Sequence, residues 1–181
     1  LIAYQIAWIK CNYPHEFFAS MMTVEYNNSE KLSVFIEDLK KINILTHPPC
    51  INNSTFSFKI QKMNNKTSSI RYSLSSLKNI GHEAVQKITE VRDKMGKFKN
   101  IDDFLNKIPF NALTRKLLES LIMSGAFDCL ENNRNKLFKS IDLMLNYSQS
   151  IEKEKISNQQ NLFNQINNNH LSINLPEIYN W

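Results

Sequence analysis

The chain has 181 residues, 42% hydrophobic and 22% charged, with a formal net charge of +5 and a pI near 9.1. That length and apolar content allow one or two small domains with a real core and exclude a chain too polar to fold, while the modest basic excess favours an anionic partner without specifying one. Three cysteines, Cys11, Cys50 and Cys129, far apart and odd in number, make neither a disulfide framework nor a CxxC metal pair, so a reducing cytoplasm is the expected location.

The first ten residues are apolar, but Gln5 and Lys10 interrupt them and they fall short of the about 20 needed to span a membrane. They lack the basic start and the small-residue cleavage site of a signal peptide, and no membrane contact is expected. With no initiator Met and a helical pattern under way at residue 1, the sequence has the look of a fragment. Ile2, Ile6 and Ile9, flanked by Ala3 and Ala7, predict a helix over 1–11 with one buried side, and Tyr4 and Trp8 are expected in the core. Pro14 opens a second, largely buried helix through Met22. Asn27-Asn28-Ser29 caps a third over 30–42, with Leu32, Phe35, Ile36 and Leu39 inward, and Pro48-Pro49 is expected to end it.

Residues 55–60 and 70–74 alternate apolar and polar side chains around Asn64-Asn65-Lys66, which predicts a β-hairpin. Helical spacing returns from Ser76, punctuated by Gly81, Gly96, Pro109 and Gly125. Beyond about Ser148, Asn, Gln and Ser dominate, as in a linker that buries too little surface to fold alone.

Two segments carry the functional argument. Leu77-Lys78-Asn79-Ile80-Gly81-His82 leads into a helix whose Ala84, Val85 and Ile88 face inward, the shape of a helix-hairpin-helix. In such a hairpin Gly81 allows a tight, left-handed turn and a close phosphate, and the unpaired N–H groups opening the next helix, with its dipole, attract that phosphate. Lys78, Asn79 and Lys87 are candidate supplementary contacts, and His82 is read as either a phosphate contact or a capping or packing residue. The plan repeats at Leu121-Ile122-Met123-Ser124-Gly125-Ala126-Phe127-Asp128, followed by Arg134 and a helix over 133–144, which adds Ser124, Gly125, Ala126 and Arg134 to the candidate DNA contacts. A plain helix-Gly-helix turn has the same outline. Residues 76–140 contain 12 Lys or Arg against 8 Asp or Glu, so most of the basic excess lies here. Contacts of this kind hold the phosphate backbone and do not read sequence.

Several stretches together resemble the bacterial DNA polymerase III alpha subunit from its late fingers domain through its helix-hairpin-helix domain. They are Leu1-Ile2-Ala3-Tyr4-Gln5, Ala7-Trp8, Tyr13-Pro14-His15-Glu16-Phe17, Pro48-Pro49 with Asn52, Leu74 with Leu77-Lys78-Asn79-Ile80-Gly81, and residues 121–128 with Arg134. Ser73 and Ser75 depart from the family's glycine-like residues, and Cys50 from its usual acid. The resemblance implies a mostly α chain: the end of the fingers at 1–49, a β-hairpin connection at 50–75, tandem helix-hairpin-helix units at 76–147 and a flexible linker at 148–181.

In this family the linker carries a Gln-x-x-Leu/Met-Phe peptide for the sliding clamp, and Gln159-Gln160-Asn161-Leu162-Phe163 has that form, with Leu162 and Phe163 as apolar anchors and Gln159 at the polar rim. The implied partners are primed duplex DNA, the clamp and other holoenzyme subunits. The polymerising carboxylates and their Mg2+ ions are implied in the palm domain, so no catalytic residue, metal ligand or cofactor is expected in this segment. Asp102-Asp103 is read as a solvated helix start, and His15, His47, His82 and His170 lack metal-ligand spacing with the cysteines. The rival reading is a stand-alone helix-hairpin-helix repair or recombination accessory protein.

Overall fold

Asparagine and threonine caps fix where several helices begin. In the computed structural model, which describes residues 1–64, 67–160, 173, 175, 176 and 179, Asn28, Asn100, Thr114 and Asn133 each accept a hydrogen bond from the backbone N–H three residues on. Eight α-helices and three strands are seen among these residues: α1 (Ile2–Asn12), α2 (Pro14–Val24), α3 (Ser29–Lys41), β1 (Thr46–His47), β2 (Lys59–Asn64), β3 (Thr67–Arg71), α4 (His82–Met95), α5 (Ile101–Lys107), α6 (Arg115–Met123), α7 (Arg134–Lys139) and α8 (Ile141–Gln160). The fold is therefore mostly α with a small sheet, as expected.

The helix ends follow local chemistry rather than the prolines. Asn43, at φ 57, stops α3, with Ile44 N donating to Leu39 O at 2.9 Å and Asn43 N to Lys40 O at 3.1 Å. This pair of bonds is a Schellman turn, in which a left-handed residue satisfies the last carbonyls, so α3 ends well before Pro48-Pro49.

The sheet has the order β1-β3-β2, with β2 antiparallel and β1 parallel to β3. Its strands are displaced from the expected 55–60 and 70–74 because serine hydroxyls intervene. Ser54 Oγ donates to Tyr72 O at 2.6 Å, Ser75 Oγ donates to Phe56 O at 2.5 Å, and Ser73 Oγ lies 2.6 Å from Ser76 Oγ. Ser73 and Ser75 are buried, and these bonds satisfy their hydroxyls.

Two apolar clusters result. One joins Phe18, Met22, Leu32 and Leu39 of α2 and α3 to Phe58 and Ile70 of the sheet region. The larger gathers Ile51 and Leu74 with α4–α8 around Phe98, Phe104 and Phe127, whose rings meet edge-on at 5.1 and 5.0 Å. The expected burial of α1 is not found: none of its residues is buried, and Tyr4 and Trp8 are exposed rather than core. Its contacts include Trp8 against Tyr13, between α1 and α2, and Lys10 beside Phe18 of α2 and Asp38 of α3. At the other end, α8 continues through Gln160, beyond the 147 boundary, because Ser148 and Ile151 are buried and Lys155 Nζ donates to Asn106 O at 2.9 Å.

Phe104 is fully buried between two aromatic rings. Phe104→Ala is expected to destabilise the protein by about 3–5 kcal/mol, read from the midpoint of urea unfolding.

Candidate nucleic-acid interface

The first hairpin turn is open. Residues 74–80 form consecutive turns rather than a helix, with Leu77 N donating to Leu74 O and Ile80 N to Leu77 O. The left-handed residue is Asn79 at φ 62, whereas Gly81 at φ −75 is extended, which corrects the conformational role expected of that glycine. Asparagine tolerates this region better than other side chains, so Asn79 makes the turn and Gly81 keeps the space. A Cβ built on Gly81 would meet nothing within 4 Å.

Gly81 caps α4 without a side-chain bond, so the first N–H groups of the helix point outward beside a vacant glycine surface. His82 is exposed, and its ring rests 4.6 Å from that of Phe56, which in turn meets Tyr26 at 5.4 Å. This contact gives His82 an aromatic support that alternation alone did not reveal, and leaves its ring exposed beside the turn. Lys78 and Asn79 are exposed and Lys87 is half-buried. Glu83, in the first turn, opposes an anion there.

The second turn is closed. Ser124 caps the end of α6, Gly125 follows at φ 77, and Gly125 N and Ala126 N donate to Ile122 O and Leu121 O at 3.0 and 2.9 Å. Ser124 N and Oγ also bond within the turn, to Ser120 O and Leu121 O. Ala126 is fully buried and its carbonyl accepts from Ile51 N at 2.8 Å. Ser124 N, Gly125 and Ala126 therefore have their donors engaged in a Schellman turn, and Ala126 is corrected from DNA contact to core residue.

Arg134 is also committed: it grips Asp128 with Nε at 2.8 Å from Oδ1 and with a second guanidinium nitrogen on Oδ2. This bidentate pair holds the Arg134 guanidinium above its ordinary pKa, first through the hydrogen bonds to Asp128, against burial and with the adjacent charge adding. A Cβ on Gly125 would stand 2.2 Å from that guanidinium. Asp128 gave no signal in spacing or charge pattern.

A strap joins the two turns. Arg92 of α4 donates to Ile51 O and Ser54 O at 3.2 and 2.6 Å, and Ile51 N reaches the Gly125 turn. Asn52 exchanges both amide bonds with Phe98, at 2.8 and 2.9 Å.

The acidic pair does not fit a Mg2+ site here. Asp102 Oδ1 accepts from Ile173 N, and Asp103 Oδ2 accepts from Lys99 N and Lys107 Nζ. Burial works against the Asp103 charge, but the Lys107 and Lys99 bonds outweigh it and hold its carboxyl below the ordinary value. Among the described residues no cluster of His, Cys, Asp and Glu suits a metal ion, and no helix is long and apolar enough to cross a membrane. Leu162 and Phe163 lie outside the described residues, and of Gln159 the structure describes only its place in α8.

Residues 43–137 match the helix-hairpin-helix motif family. The chain is 39% identical over 163 residues, 90% of its length, to the DNA polymerase III subunit alpha of Borreliella burgdorferi. It is 37% identical over 163 residues to that of Campylobacter jejuni and 33% over 166 residues to that of Thermus aquaticus, again 90% and 92% of this chain. These matches span only 13–14% of the relatives' own lengths.

The two glycines should respond differently. Gly81→Ala is expected to change stability by less than about 0.5 kcal/mol, whereas Gly125→Ala, strained in backbone and crowding Arg134, should cost more than about 1 kcal/mol in thermal or urea unfolding.

Proposed function

Given that the chain belongs to the helix-hairpin-helix family, we propose that it is a duplex-holding segment of the alpha subunit of a bacterial DNA polymerase III, acting in template-directed DNA replication. The observation that carries this reading is the open N-terminus of α4, where outward N–H groups and the bare surface of Gly81 leave room for a phosphate oxygen. Lys78 and Lys87 add mobile positive charge beside it. Such a site recognises backbone charge and is indifferent to base sequence. The closed second turn supports α4 from behind through the Ile51 strap and is not a second equal grip.

The polymerising chemistry of the whole subunit, DNA-directed nucleotidyl transfer with Mg2+, is assigned to its palm domain. This segment contributes retention: it holds new duplex while the Gln159-Leu162-Phe163 peptide docks on the sliding clamp among the other holoenzyme subunits. Two attachments on one chain raise the local concentration of enzyme at the primer end and favour long synthesis.

Fluorescence anisotropy with labelled primed duplex across a salt series tests the DNA contact. Lys78→Ala and Lys87→Ala should each weaken binding equally for all sequences and lower the slope of log affinity against log salt by about 1. An unchanged slope in the double variant would remove the α4 face from the interface. For the clamp, Leu162→Ala combined with Phe163→Ala should abolish capture on immobilised clamp and leave DNA affinity intact; retained capture would discard the peptide.

A further inference from the structure

Cys50 and Cys129 are 79 positions apart, yet their sulfurs lie 3.4 Å from each other. The proximity is built by the backbone on both sides. Cys50 N donates to Ser54 Oγ at 3.0 Å, Asn53 N and Ser54 N return to Cys50 O, and the adjacent Ile51 N binds Ala126 O in the turn that leads to Cys129. Cys50 is buried and Cys129 is exposed, so one sulfur is shielded and its partner is reachable from solvent.

We propose that Cys50 and Cys129 form a redox-active dithiol that closes to an intramolecular disulfide when the protein meets a small-molecule disulfide oxidant. Bond formation requires the sulfurs to approach to about 2.05 Å, a short movement of two side chains already in contact. The pair also shares a proton. Cys50 is lowered to about 6, first by its hydrogen bond with Cys129, against burial and with help from the Asn52 and Asn53 N–H groups, while the same bond pushes Cys129 up.

The chemistry balances with oxidised glutathione as the oxidant. As exposed Cys129 attacks one glutathione sulfur, its proton passes to the neighbouring Cys50 thiolate, the glutathione S–S bond breaks, and the first glutathione leaves as a thiolate that takes up a proton. Cys50 then gives up its proton and attacks the Cys129 sulfur of the mixed disulfide, expelling the second glutathione. Two protein thiols are oxidised to one disulfide, and one glutathione disulfide is reduced to two thiols. The product pins the strap at residue 50 to the turn at residue 129 and closes a long loop of chain, which restricts the unfolded state.

The test uses the protein carrying Cys11→Ser, equilibrated with mixtures of oxidised and reduced glutathione, quenched in acid and mapped by mass spectrometry. The expected result is a Cys50–Cys129 crosslinked peptide with no retained glutathione, and a melting midpoint raised by about 5–15 °C that returns on reduction. The exposed variant Cys129→Ser should show neither the crosslink nor the melting shift, and Cys50→Ala should hold glutathione on Cys129. Glutathione persisting on Cys129 in the protein with both cysteines, or an unchanged melting midpoint after complete crosslinking, would overturn the proposal.

Discussion

The peptide at Ile51 is the constraint on which the helical part of the structure depends. Its carbonyl is held by Arg92 of α4 and its N–H by Ala126 of the α6 turn, while its side chain is fully buried in the larger core. Backbone groups placed in an interior must find partners, and here the partners come from two separate helical units. Asn52 extends the strap by pairing both polar atoms of its amide with Phe98 in the α4–α5 connection. A short irregular segment thus sets the relative position of elements that have little direct contact of their own, and the Gly81 and Gly125 turns are oriented through it.

That dependence explains why two turns of similar sequence differ in kind. Each combines an apolar run with a small residue, and each was legible as a hairpin from its pattern. What the pattern does not carry is which N–H groups the fold consumes. At Ser124-Gly125-Ala126 the preceding α6 is long enough to present carbonyls to all of them; before Gly81 there is no helix, only successive turns, so the following helix opens to solvent. Asn79 takes the left-handed position and relieves Gly81 of it.

Periodicity identified α2 and α3 with useful boundaries because each has a burial stripe and a cap or proline at its start, and it found the inward face of α4. It also placed α1, but not its burial, since no residue of that helix is buried among the described residues, and it missed the length of α8, where a polar composition conceals the two inward positions, Ser148 and Ile151, that extend the helix. Side-chain pairings were invisible for a different reason. Cys50 with Cys129, Arg134 with Asp128 and His82 over Phe56 arise from the path of the backbone, and no single-sequence spacing encodes them. The family resemblance was legible because it rests on runs of consecutive residues, which survive without knowledge of contacts.

The packing of Gly125 against the Arg134–Asp128 pair has a consequence for how this surface changes over generations. Any side chain added at 125 first collides with the guanidinium, and only afterwards faces the cost of a left-handed backbone, which asparagine bears best. A shorter residue at 134 would remove the first obstacle and leave the second. The two positions are therefore coupled: a side chain at 125 costs less once 134 has shortened than while arginine is held on Asp128, so the easier route between the two combinations passes through glycine at 125 with a shorter residue at 134.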